Sequence, residues 1–97
     1  MIENEYLSEV SEIMTPSKYK NLYVSIINNA LIRQNGICSK KLRKKLKEQL
    51  NYVESHHILP KCMCTTTFQK NDKLNLVFLT AREHFICHWL LIKMTPG

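Results

Sequence analysis

The sequence lacks any apolar run that approaches the roughly 20 residues needed to span a membrane. Its first residues, MIENEYLSEVSE, are acidic and polar, which is not the pattern of a signal peptide. Internal repeats and low-complexity segments are absent as well. We therefore expect an intracellular protein that has no membrane partner.

The chain has no paired Cys-x-x-Cys motif either. Its cysteines are irregularly spaced, so we expect reduced thiols rather than a disulfide framework or a separate cysteine-based zinc site. They are Cys38, Cys62, Cys64 and Cys87. There is likewise no zinc finger or clear helix-turn-helix that would serve as a separate DNA-recognition module.

Two common histidine chemistries are excluded by residue order. A zinc peptidase requires His-Glu-x-x-His, whereas here Glu83 precedes His84. A nucleobase deaminase requires His-x-Glu together with Pro-Cys-x-x-Cys, and the segment PKCMC does not supply that pattern.

A length of 97 residues and a hydrophobic content of 44% suit one small domain. We predict an α+β fold in which N-terminal helices are followed by a strand, a second strand and a helix. Residues 1–51 would be helical support that includes a basic helix at 39–50, and residues 52–94 would carry the chemistry, all within one compact domain.

Three helices are predicted in the N-terminal half. Residues 2–14, from Ile2 to Met14, have apolar side chains at helical spacing. Thr15 is predicted to cap a second helix that has Pro16 at its first position, runs to Gln34 and is closed by Asn35. Residues 39–50 form the third helix. The second helix carries a wide apolar stripe, which we interpret as core: Tyr19, Leu22, Tyr23, Ile26, Ile27, Ala30 and Leu31.

The second half holds all four histidines and the only tryptophan. Residues 53–59 are strand-like and end before Pro60, and the apolar run at 74–80 predicts a second strand. Thr80 and Glu83 then match the capping box, so a helix should start at Ala81. No glycine or proline interrupts this helix before Pro96.

The histidine spacing indicates a metal site. His84 and His88 are four residues apart, so they lie on one face of the helix, and His56 and His57 offer a third ligand from the first strand. An ion held by three protein ligands keeps an open position for a phosphate oxygen. The remaining imidazole, whose unperturbed pKa is near 6.5, can take a proton from water at neutral pH. This combination fits metal-assisted phosphodiester hydrolysis.

The four histidines and Asn75 resemble the motif of the HNH endonuclease family, which has a ββα-metal fold. They stand in the segments ESHHILP and NLVFLTAREH, followed by His88. Within that family they most resemble the enzymes of large bacteriophages, often of homing type, which implies the cytoplasm of a bacterial host. The resemblance covers roughly residues 52–93. It implies DNA as the substrate and one divalent metal ion, which could be zinc, magnesium, manganese or nickel.

Carried over position by position, the resemblance implies a role for each site residue. His57 corresponds to the general base, and Asn75 corresponds to a structural residue whose amide fixes the loop between the strands. His56, His84 and His88 correspond to the metal ligands of a three-histidine subgroup.

Two local features set conditions on this site. Members of the family commonly carry a Gly-Gly turn near the position of Cys64 and Thr65, and both of these residues fit poorly if the backbone there has positive φ. Adjacent strand residues also point to opposite faces, so His56 and His57 can serve one site only if the strand ends, twists or bulges there.

The basic helix and Glu54, both near the motif, each have two interpretations. The basic helix would be an ordinary solvated face in isolation, but beside a phosphodiesterase motif we favour contact with DNA phosphates. Its basic residues are Lys40, Lys41, Arg43, Lys44, Lys45 and Lys47. We interpret Glu54 as a solvated edge charge, with orientation of a metal ligand as the alternative. Glu83 is interpreted as the capping-box partner.

Three further possibilities stay open from the sequence. One is a non-catalytic DNA-binding protein whose zinc is closed by a fourth ligand, Cys62, Cys64 or Cys87. Another is an inactive remnant, because homing-type enzymes often carry DNA-recognition segments after the HNH core and this chain stops at Gly97. The third is a homodimer, because cutting both strands needs two active sites or sequential nicking.

Overall fold

The structure is a computed structural model that describes residues 3–94. Ile2, Pro96 and Gly97 lie outside the described residues. The helices and strands are α1 (Glu5–Ile13), α2 (Lys18–Gln34), α3 (Lys40–Leu50), β1 (Glu54–His57), α4 (Thr67–Asn71), β2 (Leu76–Leu79) and α5 (Ala81–Met94). The predicted α+β fold, with N-terminal helices followed by strand, strand and helix, is therefore confirmed.

The second helix begins later than predicted. Ser17, not Thr15, is its N-cap: the Ser17 side chain accepts a hydrogen bond from the Lys20 amide at 3.1 Å. The buried Met14 anchors the end of α1 with extended backbone, so the chain turns through Thr15 and Pro16 before α2 can start. At its other end α2 stops as predicted, with Asn35 in the left-handed region at φ 46°.

The predicted apolar stripe of α2 is largely buried. Tyr23, Ile27, Ala30 and Leu31 belong to the main core, whereas Leu22 is 48% exposed and does not belong to it. The apolar stripe is wider than the part of the helix surface that the core buries, so residues at its margin stay exposed. The apolar face of α2 thus packs against α5 and the sheet, and the interpretation of the stripe as core is confirmed for these four residues.

The two strands form an antiparallel sheet that separates two packing layers. His56 pairs with Val77 and His57 pairs with Leu76. Val77 packs in the main core with α2 and α5, while Phe78 packs on the other side with Leu46 of α3. Because side chains alternate along a strand, α5 and the basic helix α3 lie on opposite faces of the sheet.

Side chains at the end of α2 bind the second edge of β2. Gln34 Oε1 accepts from the Phe78 amide at 2.9 Å, and Arg33 donates to the Phe78 carbonyl at 3.1 Å. The Cys38 thiol donates to the Leu76 carbonyl at 3.3 Å. These contacts cover backbone groups that an open strand edge would leave for pairing with another chain.

Both strands are shorter than the predicted segments 53–59 and 74–80. After β1 the chain makes a short 3-10 turn at Lys61–Met63, and before β2 a second one spans Lys73–Asn75. The Asp72 side chain accepts from the Leu74 amide at 3.0 Å and so starts that second turn. Ile58, Leu59 and Leu74 are apolar and therefore extended the predicted strands. In the structure, hydrogen bonds of the adjoining turns determine the backbone conformation at these positions.

Candidate metal centre

His56, His84 and His88 come together between β1 and α5. One ring nitrogen from each lies within 4.8 Å of those of the other two. Nε2 of His84 and Nε2 of His88 are 2.9 Å apart, a distance that residues one helical turn apart can reach. Solvent exposure increases across the cluster: His56 is buried, with 3% of its surface exposed, His84 is intermediate and His88 is exposed.

The capping box fixes where α5 starts and therefore where its histidines lie. Thr80 Oγ1 accepts from the Glu83 amide at 3.2 Å, and Glu83 Oε1 accepts from the Thr80 amide at 2.8 Å. The Glu83 carboxylate is also held by both terminal nitrogens of Arg33, at 2.9 and 3.0 Å. The prediction for Glu83 is confirmed, and Arg33 is an addition that the sequence analysis missed.

The charge of Glu83 is stabilised by these bonds. Burial raises the pKa of this carboxyl group, but the hydrogen bonds and charge of Arg33 and the Thr80 amide outweigh burial and bring the pKa below its ordinary value. Glu83 is thus ionised at neutral pH and joins α2 to the first turn of α5.

Glu54 is not a free edge charge, so our preferred interpretation of it was wrong. Its Oε2 accepts a hydrogen bond from Nδ1 of His84 at 2.9 Å. Glu54 and His56 are two residues apart on β1, so both side chains face α5. With its Nδ1 proton bonded to the carboxylate, His84 directs the lone pair of Nε2 toward the cluster.

His56 is held from the other side by Tyr23 of α2. The Tyr23 hydroxyl lies 2.9 Å from Nε2 of His56 and 2.7 Å from the Ile58 carbonyl. Burial lowers the pKa of His56 to about 3, and repulsion from His84, His88 and His57 adds to the effect. His56 is therefore a neutral imidazole, which is the form that binds metals.

His57 is the last residue of β1 and lies beside the cluster rather than within it. Its Nε2 donates to the Lys70 carbonyl at 2.9 Å, so the lone pair of the neutral ring is on Nδ1. His57 and the three clustered histidines border one cleft of about 530 Å³. The strand ends at His57, so the two adjacent histidines can border one cleft even though strand neighbours point to opposite faces.

Asn75 is fully buried and bridges the two ends of the loop between the strands. Its Oδ1 accepts from the Leu59 amide at 2.7 Å, and its Nδ2 donates to the Leu59 carbonyl at 3.1 Å and to the Gln69 carbonyl at 3.2 Å. These bonds join the segment after β1 to the segment before β2. They hold the backbone near the Lys70 carbonyl that binds His57.

The loop at Cys64 and Thr65 does not need glycine. Cys64 has φ −73°, and within residues 3–94 the positive-φ residues are Asn35 and Asn51. The Cys64 thiol donates weakly to the carbonyls of Leu59 and Pro60. The backbone here is thus one that Cys and Thr adopt without strain.

Comparison with known proteins finds relatives of this chain in a bacteriophage. No family model matches it, and no solved structure matches it. It is 49% identical over 75 residues to "Probable mobile endonuclease D" of Enterobacteria phage T4, and the match covers 73% of this chain and 27% of that protein. The chain resembles phage mobile endonucleases.

Two further relatives have the same origin. "Probable mobile endonuclease E" of phage T4 is 41% identical over 78 residues, covering 80% of this chain and 43% of the relative. "Probable mobile endonuclease B" is 42% identical over 77 residues, covering 78% and 24%. The chain thus spans less than half the length of each relative. The predicted resemblance to homing-type phage endonucleases is supported by all three.

Two sets of positively charged residues bear on DNA binding at the cleft. The six predicted DNA-binding residues of α3 are all exposed, on a helix that packs on the sheet face opposite α5. Lys61, directly after Pro60, lines the cleft itself. The sequence gives no sign of this role for Lys61, because a single lysine outside a basic run has no distinguishing pattern. No helix within residues 3–94 is long and apolar enough to cross a membrane.

Proposed function

We propose that this chain carries the nuclease site of a metal-dependent DNA endonuclease of the HNH type. The observation that carries the proposal is the arrangement of four histidines around one cleft, three of them clustered and one separately held by the Lys70 carbonyl. The names of the three phage relatives support the same function.

The clustered histidines fit a divalent metal ion. Two nitrogens that bind one Zn²⁺ tetrahedrally at roughly 2.0–2.1 Å lie about 3.3 Å apart, so His84 and His88, whose Nε2 atoms are 2.9 Å apart, need only a small outward shift to hold one ion. Imidazole ligands favour zinc or nickel over magnesium or manganese, which prefer oxygen ligands. When bound, such an ion would offset the charge that develops on the phosphorane and on the leaving oxygen.

His57 is the proposed general base. The bond from its Nε2–H to Lys70 holds the ring at the edge of the cleft, and Nδ1 is free to take a proton from a water molecule that attacks the phosphorus. Asn75 acts on His57 through the backbone, since its amide fixes the loop that presents the Lys70 carbonyl. Asn75 is therefore a positioning residue in this proposal.

Lys61 and the basic helix α3 would hold DNA in different ways. Lys61 is placed to contact a phosphate inside the cleft. The six exposed charges of α3 would contact the phosphate backbone farther from the scissile bond. Such contacts raise affinity without reading sequence, because specificity comes from contacts to the bases.

The test is supercoiled plasmid incubated with the purified chain and Zn²⁺, Ni²⁺, Mn²⁺ or Mg²⁺, with chelator and His57→Ala as controls. We expect metal-dependent conversion to nicked or linear DNA that disappears in the variant. Linear product formed without a nicked intermediate would indicate two sites, as in a homodimer. No conversion with any of the four metals, from a folded chain that binds DNA, would overturn the nuclease proposal and indicate the inactive remnant.

A structural zinc site closed by a fourth ligand is the competing possibility, and one observation supports it. Cys62 lines the same cleft as the histidines, although it does not belong to the three-residue cluster found within residues 3–94. Absorption of the cobalt-loaded chain separates the two possibilities. A thiolate-to-metal charge-transfer band that Cys62→Ser abolishes would favour the structural site.

A further inference from the structure

We propose that Tyr23 is a positioning residue that fixes the tautomer of His56, so that His56 offers Nδ1 to the metal site while His84 offers Nε2. The inference rests on the proposed metal site but not on cleavage. Tyr23 belongs to α2 in the N-terminal half, and from the sequence we interpreted it as a core residue and nothing more.

The tautomer follows from counting protons at the Tyr23 hydroxyl. The Ile58 carbonyl can only accept, so at 2.7 Å the single hydroxyl proton of Tyr23 is directed to it. The hydroxyl oxygen then has only lone pairs to offer His56, whose Nε2 lies 2.9 Å away. Nε2 of His56 must therefore carry the proton that completes this bond.

The consequence for His56 is a lone pair on Nδ1. A neutral imidazole has one N–H and one acceptor nitrogen, so a proton on Nε2 leaves Nδ1 as the only ligand atom. The opposite tautomer would place two lone pairs against each other at Nε2 and the Tyr23 oxygen, inside a fully buried environment. Tyr23 thus selects the metal-binding nitrogen before any metal arrives.

His84 is held in the opposite sense. The carboxylate of Glu54 takes the Nδ1 proton of His84, which leaves Nε2 as its ligand atom. The site is thus prepared by two different partners, a tyrosine hydroxyl from α2 and a carboxylate from β1. Within residues 3–94, the hydrogen-bond contact of His88 is with Nε2 of His84 at 2.9 Å, and it has no orienting partner of this kind.

The test compares Tyr23→Phe with Tyr6→Phe. Tyr6 is a matched control, because it is also buried and its hydroxyl donates to Asp72 at 2.7 Å, not to a histidine. Ring tautomers in the metal-free chain are read by ¹⁵N–¹H correlation spectra of the imidazoles. Zinc affinity is measured by competition with a chelator of known affinity.

We expect wild-type His56 to be protonated at Nε2 and His84 at Nδ1. In Tyr23→Phe the Nδ1–H form of His56 should appear and zinc affinity should fall about 10- to 100-fold, whereas Tyr6→Phe should change neither. Wild-type His56 protonated at Nδ1 would overturn the proposal even if Tyr23→Phe failed to fold. So would unchanged zinc affinity in a folded Tyr23→Phe variant. A chain that shows both expected effects but does not cut DNA would refute the nuclease proposal alone.

Discussion

Glu54 Oε2 lies 2.9 Å from Nδ1 of His84, and this bond joins the first strand to the helix that carries two of the three clustered histidines. Both side chains are partly exposed, at 34% for Glu54 and 21% for His84. The bond's main effect is therefore on the orientation of the His84 ring and less on the stability of the fold, because exposed charge pairs contribute little to stability.

This bond predicts that Glu54→Gln weakens metal binding. A glutamine oxygen still accepts the His84 proton but lacks the carboxylate charge that favours a metal ion on the far side of the ring, so we expect zinc affinity to fall about 10-fold. Glu48→Gln, on the exposed surface of α3, removes the same charge away from the site and is the control. Equal zinc affinity of the two variants, measured by chelator competition, would contradict the role of Glu54.

A second prediction separates the general base from the metal ligands. His57→Ala should reduce cleavage by about 10²- to 10⁴-fold while zinc affinity stays that of the wild type, because His57 lies outside the cluster. His88→Ala should lower zinc affinity directly. Both histidines are at least partly exposed, so neither variant should unfold the chain. The roles would be refuted if zinc affinity fell to the same extent in both variants.

Local spacing made much of this site predictable. His84 and His88 are one helical turn apart, and Thr80 and Glu83 form a capping box within four residues, so the sequence alone places them. Tyr23 and Arg33 could not be found in this way, because their partners His56 and Glu83 are 33 and 50 residues away along the chain. Only the packing of α2 on the sheet and α5 brings them together.

Errors in the predicted fold came from competition between similar local signals. Thr15 and Ser17 can both cap a helix, and the burial of Met14 decided in favour of Ser17. Leu22 and Ile27 are both apolar residues of one helical stripe, but α5 and the sheet cover only the side that carries Ile27. Tertiary packing determines which of such alternatives forms.

The Arg33–Glu83 pair predicts a specific dependence of stability on pH. The pKa of Glu83 in the folded chain is below its ordinary value of 4.5. The pair therefore stabilises the fold fully above pH 4.5, and this contribution disappears as pH falls through the pKa of the folded state. Glu83→Gln keeps a side chain suited to the capping box but removes the charge. We expect it to be less stable at neutral pH by about 1 kcal/mol, after allowance for solvent screening.

Denaturant unfolding of wild type and Glu83→Gln at several pH values checks this prediction. The difference in free energy of unfolding should shrink toward zero as pH is lowered below 4.5, because the wild-type carboxyl group then becomes neutral too. A difference that stays constant across the acid range would mean that the glutamine perturbs packing and that charge plays no part.

The basic helix gives the last prediction, which concerns position rather than total charge. Substituting Lys44, Lys45 and Lys47 by glutamine should weaken binding to DNA of any sequence and make its salt dependence shallower. The logarithmic slope should change by up to about 0.9 for each phosphate that the variant no longer neutralises. The control removes three exposed charges from α2 and α5 instead, as Lys18→Gln, Arg82→Gln and Lys93→Gln. Both triple variants have the same net charge. If long-range attraction alone governed binding, their salt slopes would be equal; a shallower slope only in the α3 variant identifies α3 as the surface that binds phosphates.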